Sequence, residues 1–373
     1  MGAISLARGV PAPECLPVDE LADCARVALE RDGTAILLYG PGGGYGPLRE
    51  WIAERHGVEP GRVVITNGSL QGFVFLAEHL VEPRTRVFVE APTYDRPLKI
   101  LERLGAEVVA LPMDDDGLLP DALERAVGER DRPAFLYTIP TFQNPSGRTL
   151  SEERRRRVVE IARERNLLVI EDDPYGLIRY EGSALPSLLD LDRDGGKGEH
   201  VAYASSFSKT VAPGVRVGYF VLPAELASNI EAHAVSTYIS PPFLTQATVH
   251  EFVRRGNFDP NLARTNGLLA ARRNAMLAAL ETRLPVDATW TRPDGGYFVW
   301  VDLPSGPDAA DLLVSAEAAG VTFIKGGDFF PGGRGGERSL RLAFSFVSTA
   351  EIADGVERLA GLLAHASESA PAL

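Results

Sequence analysis

From about residue 60 to 222, short β-rich runs alternate with helical patterns, and this rhythm constrains the chain more than any other feature. The runs fall at 63–66, 86–90, 107–111, 134–138, 167–171, 201–205 and 216–222. Several are almost wholly apolar, such as Leu167-Leu-Val-Ile170. A strand with one face in water alternates apolar with polar residues, so these runs read as strands covered by helices on both faces. The stretches 71–80 and 151–165 between them are helical, and Thr149 followed by Glu152 spells a capping box ahead of the second. The pattern predicts an α/β fold.

After about residue 240 the pattern changes to long helices over 242–255 and 261–283, then strands around 297–301 and 340–345. This reads as a second, smaller α+β domain. A last helix over 350–366 runs into a Ser/Ala/Pro tail expected to fray. The first 30 residues have too little apolar pattern for a domain of their own. The expected division is therefore an N-terminal segment, 1–30, packed with the small domain, a large domain, 31–240, and the small C-terminal domain, 241–373. No repeat of fixed period points to a solenoid.

Acidic residues exceed basic ones, 51 to 38, for a net charge of −13. Such a field repels phosphate backbones and anionic lipid, so neither nucleic acid nor membrane is an expected partner. Cys15 and Cys24 suit neither a metal knuckle nor a CxxC pair and are expected as buried free thiols. No basic leader with an apolar run and no stretch of about 18 uncharged apolar residues stands out, which predicts a cytoplasmic protein. Gly40-Pro-Gly-Gly-Gly-Tyr-Gly46 does not fit GxGxxG. Asp190-Leu-Asp-Arg-Asp-Gly195 starts like a calcium loop, but its twelfth position is Val201, so it reads as a solvated acidic turn. Arg154-Arg-Arg-Arg157, in a helix that also carries Glu152, Glu153, Glu160 and Glu164, reads as an exposed charged face. The six histidines are scattered, and no metal site is expected.

The most informative segment is Tyr203-Ala-Ser-Ser-Phe-Ser-Lys-Thr-Val-Ala-Pro-Gly-Val-Arg-Val-Gly218. A lysine held among cations and partly desolvated loses its proton near neutral pH and can form a Schiff base. Ser206, Ser208 and Arg216 around Lys209 are what a phosphate on the same ligand needs; a surface lysine on a turn is the plainer alternative. Val63-Val-Ile-Thr-Asn-Gly-Ser-Leu-Gln-Gly72 reads strand, turn, helix, so the amides of Gly68, Ser69 and Leu70 can meet a phosphate at a helix N-terminus. Thr138-Ile-Pro-Thr-Phe-Gln-Asn-Pro-Ser-Gly147 sets Asn144 beyond a strand end, and Glu171-Asp-Asp-Pro-Tyr175 sets carboxylates and a phenol beyond another. In an open α/β sheet such ends border the ligand crevice.

On the motifs Asn-Pro-Ser-Gly, Asp-Asp-Pro-Tyr-Gly and Ser-Phe-Ser-Lys, in that order, the chain resembles the fold-type I pyridoxal-phosphate aminotransferases (class I/II), and among them the 2-aminoadipate/kynurenine type. The resemblance runs from Ile4-Ser-Leu-Ala-Arg-Gly-Val-Pro-Ala-Pro-Glu14 to Leu340-Arg-Leu-Ala-Phe344. It implies a large cofactor-binding domain with a mostly parallel seven-stranded sheet flanked by helices. It also implies pyridoxal 5′-phosphate as cofactor, amino acid and 2-oxo acid as substrates, and a homodimer with shared sites. Position by position, Lys209 resembles the lysine that carries the cofactor as a Schiff base, and Asp172 the acid facing the pyridine N–H. Asn144 and Tyr175 resemble the donors to the phenolic oxygen, and Tyr94 the aromatic stacked on the ring. Gly68, Ser69, Leu70, Ser206, Ser208 and Arg216 resemble the phosphate cradle, and Tyr39 the tyrosine lent to it by a neighbouring subunit. Arg341 resembles the arginine that grips the substrate α-carboxylate, and Asn144 and Gly9 are expected to border the substrate as well.

The implied reaction moves an amino group from an L-amino acid to a 2-oxo acid, with 2-oxoglutarate as the expected acceptor, in two ping-pong halves. Leu70 stands where many relatives carry Gln, so only its backbone amide is expected to serve the phosphate. In many relatives a helical segment before the Ile-Ser-Leu pattern covers the site; here the pattern begins at residue 4, and side-chain specificity is not carried over. The same motifs serve decarboxylation, elimination and oxidation of amino acids, and a non-catalytic regulatory module also keeps them.

Overall fold

Residues 2–128 and 134–368 are described by a computed structural model. Among them an eight-stranded sheet runs in the order Val63–Thr66, Gly218–Val221, Val201–Ser206, Leu168–Asp172, Phe135–Thr138, Arg86–Ala91, Glu107–Asp114, Gly117–Leu118. The five strands from Val201–Ser206 to Glu107–Asp114 are parallel. Gly218–Val221 is antiparallel to both its neighbours. All seven expected strands are present; the eighth is a two-residue return of Glu107–Asp114 that the chain pattern did not announce.

The apolar runs are explained by two cores. Val63, Ile65, Phe88, Leu136, Val169, Val201, Tyr219 and Val221 point into one. Their chain neighbours Val64, Val87, Val89, Phe135, Tyr137, Ile170, Ala202 and Phe220 point into the other. Successive side chains leave a strand on opposite faces, so a run with both faces covered has no polar position to spare. The helices Ser69–Leu80, Asp95–Arg103 and Ala224–Tyr238 close one face. Gly46–His56, Glu152–Arg165, Leu188–Asp194 and Phe243–Arg254 close the other.

Beyond it, an antiparallel sheet has the order Thr289–Trp290, Phe298–Asp302, Ser339–Ala343, Ile324–Lys325. Residues of the helices Phe258–Arg283, Ala309–Ala318 and Thr349–Glu368 pack into its core. The N-terminal segment is shared out. Ile4–Ser5 pairs in parallel with Val321–Thr322, and Ile4 and Leu6 enter the small core. The helix Val18–Asp32 instead sends Cys24 and Ala28 into the large core, where Phe243, Ala247 and Phe252, from beyond residue 240, also lie. Cys15 and Cys24 are buried and unbonded to each other. The tail beyond 368, expected to fray, lies outside the described residues.

Three local expectations are corrected. Helix Glu152–Arg165 is capped at Ser151 with no side-chain cap bond; Thr149 Oγ1 accepts from the Phe142 N–H instead. The expected acidic turn is part of a helix, Leu188–Asp194, with its own Ser187–Asp190 capping box, and Asp192 is buried against Arg163 and the His200 N–H. Within the arginine run, Arg155 is buried rather than exposed. It donates to the carbonyls of Leu150, Pro140 and Pro186 and to Thr141 Oγ1. Arg155→Met would strand these acceptors in the interior, where each unsatisfied group costs about 1–3 kcal/mol. Chemical denaturation is expected to show a loss of about 3 kcal/mol or more, while exposed Arg156→Met changes stability by less than about 0.5 kcal/mol. Equal effects of the two would contradict the assignment.

Candidate active site

A cavity of about 660 Å³ opens at the carboxyl ends of the parallel strands and is walled on its far side by the small sheet. Every site residue expected from sequence lines it except Tyr39, which is 80% exposed and outside.

Lys209 follows the end of Val201–Ser206, and its Nζ donates to the Gly9 carbonyl at 2.8 Å. Burial and the charges of Arg341 and Arg216 bring its pKa down to about 8, so a usable share of free amine exists at neutral pH. Gly9 itself packs on Phe298, since a Cβ there would come within 2.5 Å of the ring.

Asp172 closes Leu168–Asp172. Its Oδ2 accepts from the Tyr137 hydroxyl at 2.7 Å, and its Oδ1 is buried with no partner among the described residues. Burial raises its pKa to about 7; the Tyr137 hydrogen bond opposes this, while Asp173 and Glu90 add to it. Tyr94 precedes the helix Asp95–Arg103, and burial pushes its phenol up to about 12. Tyr175, packed edge-on to Phe298 and against Tyr297, is held well above the usual phenol range, again by burial.

Asn144 Oδ1 accepts from Arg341 Nη1 at 2.9 Å, which leaves the amide NH2 as its donor group. Arg341 stands on Ser339–Ala343, donates through Nη2 to the Ala7 carbonyl at 2.9 Å, and lies over the Phe298 and Phe329 rings at 4.2 and 5.0 Å. Its Nε is buried with no partner among the described residues, and burial lowers its pKa to about 10.

The remaining residues form a polar end. Helix Ser69–Leu80 starts after Gly68 with no side-chain cap. Ser206 Oγ donates to Ser208 Oγ at 2.8 Å, and Arg216 reaches the Asn67 carbonyl at 2.9 Å. Gly218 lies directly behind this end, since a Cβ there would sit 2.3 Å from the Ser69 nitrogen. A helix N-terminus, two hydroxyls and a guanidinium make an anion site.

These residues fit the expected cofactor on chemical grounds. Asp172 presents one orphaned oxygen to a cationic ring nitrogen, Lys209 a depressed amine to an aldehyde, and the polar end a cradle for a dianion. Among the described residues, no group of three or more His, Cys, Asp or Glu side chains is placed to hold a metal ion.

Sequence reasoning missed Tyr137, Gly218, Phe298 and Phe329. Tyr137 was traceable in principle: it pairs in register with Ile170, so Asp172 is its diagonal neighbour on the same face. The pairing of those strands was the missing knowledge.

Known proteins resemble this chain over nearly its whole length. The profile of the family described as aspartate amino-transferase matches residues 3–372. The 2-aminoadipate transaminase of Thermus thermophilus is 38% identical over 367 residues, covering 97% of this chain and 91% of the relative. The aromatic-amino-acid aminotransferase 1 of Thermococcus litoralis is 35% identical over 367 residues, covering 96% and 87%. Among solved structures, an alpha-aminoadipate aminotransferase of Thermus thermophilus, complexed with N-(5′-phosphopyridoxyl)-L-leucine, superposes with a TM-score of 0.94 at 37% identity, covering 99% of this chain and 94% of that one.

Proposed function

The chain belongs to the aspartate amino-transferase family and is a fold-type I aminotransferase that uses pyridoxal phosphate, and from this premise we propose that it works by a ping-pong mechanism with 2-oxoglutarate as the amino acceptor. The observation that carries the reading is the meeting, in one cavity, of the Lys209 amine, the unpaired oxygen of Asp172 and the guanidinium of Arg341.

When bound, pyridoxal phosphate supplies an electron sink for the charge that develops at the substrate Cα. Lys209 would hold the cofactor covalently and, as a free amine, would take the Cα proton on Nζ; its lowered pKa suits a base near neutrality. Asp172 would hold a proton on the ring nitrogen through its open oxygen. Asn144 and Tyr175 would serve as donors to the phenolic oxygen and Tyr94 as the aromatic partner of the ring. The amides of Gly68, Ser69 and Leu70, with Ser206, Ser208 and Arg216, would bind the phosphate. Arg341 binds the substrate α-carboxylate, with its fork pre-oriented by Asn144 and Ala7. Gly9 fixes Lys209 through its carbonyl.

We assign Tyr39 to the phosphate of a second subunit. It is exposed together with Leu37 and Leu38, and Gly40 ties this segment to Ser240 next to exposed Ile239. An apolar patch of this kind supports burial against another copy; sedimentation at one monomer mass would contradict it. Residues 31–240 form the proposed cofactor-binding domain, and Phe243–Arg254 joins it through its packing. No helix among the described residues is long and apolar enough to cross a membrane, and the proposed location is the cytoplasm, with no nucleic-acid partner.

A spectral assay tests the reading. An amino donor alone is expected to bleach the visible band of the bound cofactor, and 2-oxoglutarate alone then restores it. Oxygen uptake with no need for an acceptor would favour oxidation of the amino acid instead.

A further inference from the structure

We propose that Tyr137 is a positioning residue for Asp172: its phenol ties up one carboxylate oxygen and so presents the other, ionised, to the ring nitrogen of the cofactor. The proposal rests on the role given to Asp172 above.

Four observations carry it. The Tyr137 hydroxyl donates to Oδ2 at 2.7 Å while Oδ1 is buried with no partner among the described residues. Tyr137 is fully buried, with the Phe73 ring set edge-on at 5.2 Å, so packing holds its ring in place beside the carboxylate. A chamber of about 60 Å³ touches Tyr137, Asp172, Tyr94, Ser69 and Leu70. Finally, the other titratable groups near Asp172 do not compete. Glu90, from Arg86–Ala91, is bound by the Thr138 hydroxyl, the Ile139 N–H and the Gln143 amide. Asp173 accepts from the Gly176 N–H and the Tyr203 hydroxyl. Tyr94 and Tyr175 act on Asp172 only through charge, if ionised, and burial keeps both phenols neutral. Among the described residues, Tyr137 is thus the donor to this carboxylate.

A hydrogen bond donated to a carboxylate favours its ionised form, which in turn favours the proton on the ring nitrogen. Without it the ring carries less positive charge and repels a proton on the Lys209 nitrogen less. Tyr137→Phe keeps the ring packing and removes only the donor. The dissociation constant for pyridoxal phosphate is expected to rise on the order of tenfold, the loss of one hydrogen bond to a charged group. The pH midpoint of the visible band is expected to move up by about half a unit or more. In an Asp172→Asn background the same substitution should change the dissociation constant by less than about twofold and leave the midpoint in place.

Unchanged affinity and midpoint in Tyr137→Phe, with the parent binding normally, would overturn the proposal. So would an equal loss in both backgrounds, which marks a packing role. If Asp172→Asn alone alters neither quantity, the role of Asp172 itself fails and takes this one with it.

Discussion

Replacement of Lys209 by alanine is expected to abolish transamination, lowering kcat by at least about 10⁴-fold, and to leave the protein without its visible cofactor band. Two functions are lost together: the covalent hold on the cofactor and the base that moves the Cα proton. Lys99 also lines the cavity, but it is exposed and ion-paired rather than buried. Lys99 pairs with Asp95 and Lys325 with Asp328, and Lys197 is exposed elsewhere on the surface. The fold should survive, because the amine makes one hydrogen bond, to the Gly9 carbonyl, inside an open cavity. The sign of the stability effect follows from proton linkage. The folded-state pKa, about 8, lies below that of the unfolded chain, so the buried ammonium is a penalty, full below pH 8 and relieved as pH rises toward the unfolded value. Cofactor-free Lys209→Ala at pH 7 should therefore melt no lower than its parent, and a cofactor-free variant that melts well below it would assign Lys209 a structural role instead.

Replacement of Asp172 by asparagine should lower kcat/KM by about 10²–10³-fold, the usual cost of removing one preorganised electrostatic contact from a transition state. Asparagine keeps the shape and can still accept from Tyr137, so the packing of the chamber is preserved. What disappears is the negative charge opposite the ring nitrogen, and with it the protonated ring that withdraws electrons from Cα. The loss is expected in kcat more than in KM, because the substrate contacts assigned to Arg341 are untouched. Steady-state kinetics showing less than about a threefold change in kcat would remove Asp172 from the electrostatic role.

Much of this site was readable before any coordinates. Asn144, Asp172 and Lys209 each stand at or just beyond the end of an apolar run, and parallel strands bring such ends to one edge however far apart they are in sequence. Arg341, from the small sheet, was legible only through the family motif around it, since nothing in its local pattern distinguishes it from a structural arginine. The misreadings share one cause. In the Arg154–Arg157 run, composition speaks for a solvated face, yet Arg155 precedes Val158, Val159 and Ala162 by three, four and seven residues, and so lies on the helix face that enters the core. Asp192 likewise follows Leu188 by four and Leu189 by three on a buried face. Charge content hid a periodicity that was present. Tyr137 differs: its role depends on the register with Leu168–Asp172, which is a property of two strands and is written in neither alone.

The catalytic role of Lys209 requires that the cofactor be attached there, and the chain has only four lysines, Lys99, Lys197, Lys209 and Lys325. Borohydride reduction of the protein saturated with pyridoxal phosphate, followed by peptide mapping, should place one phosphopyridoxyl group per chain on Lys209 and none on the other three. A stoichiometric label on Lys99, Lys197 or Lys325, or no stable adduct, would contradict it.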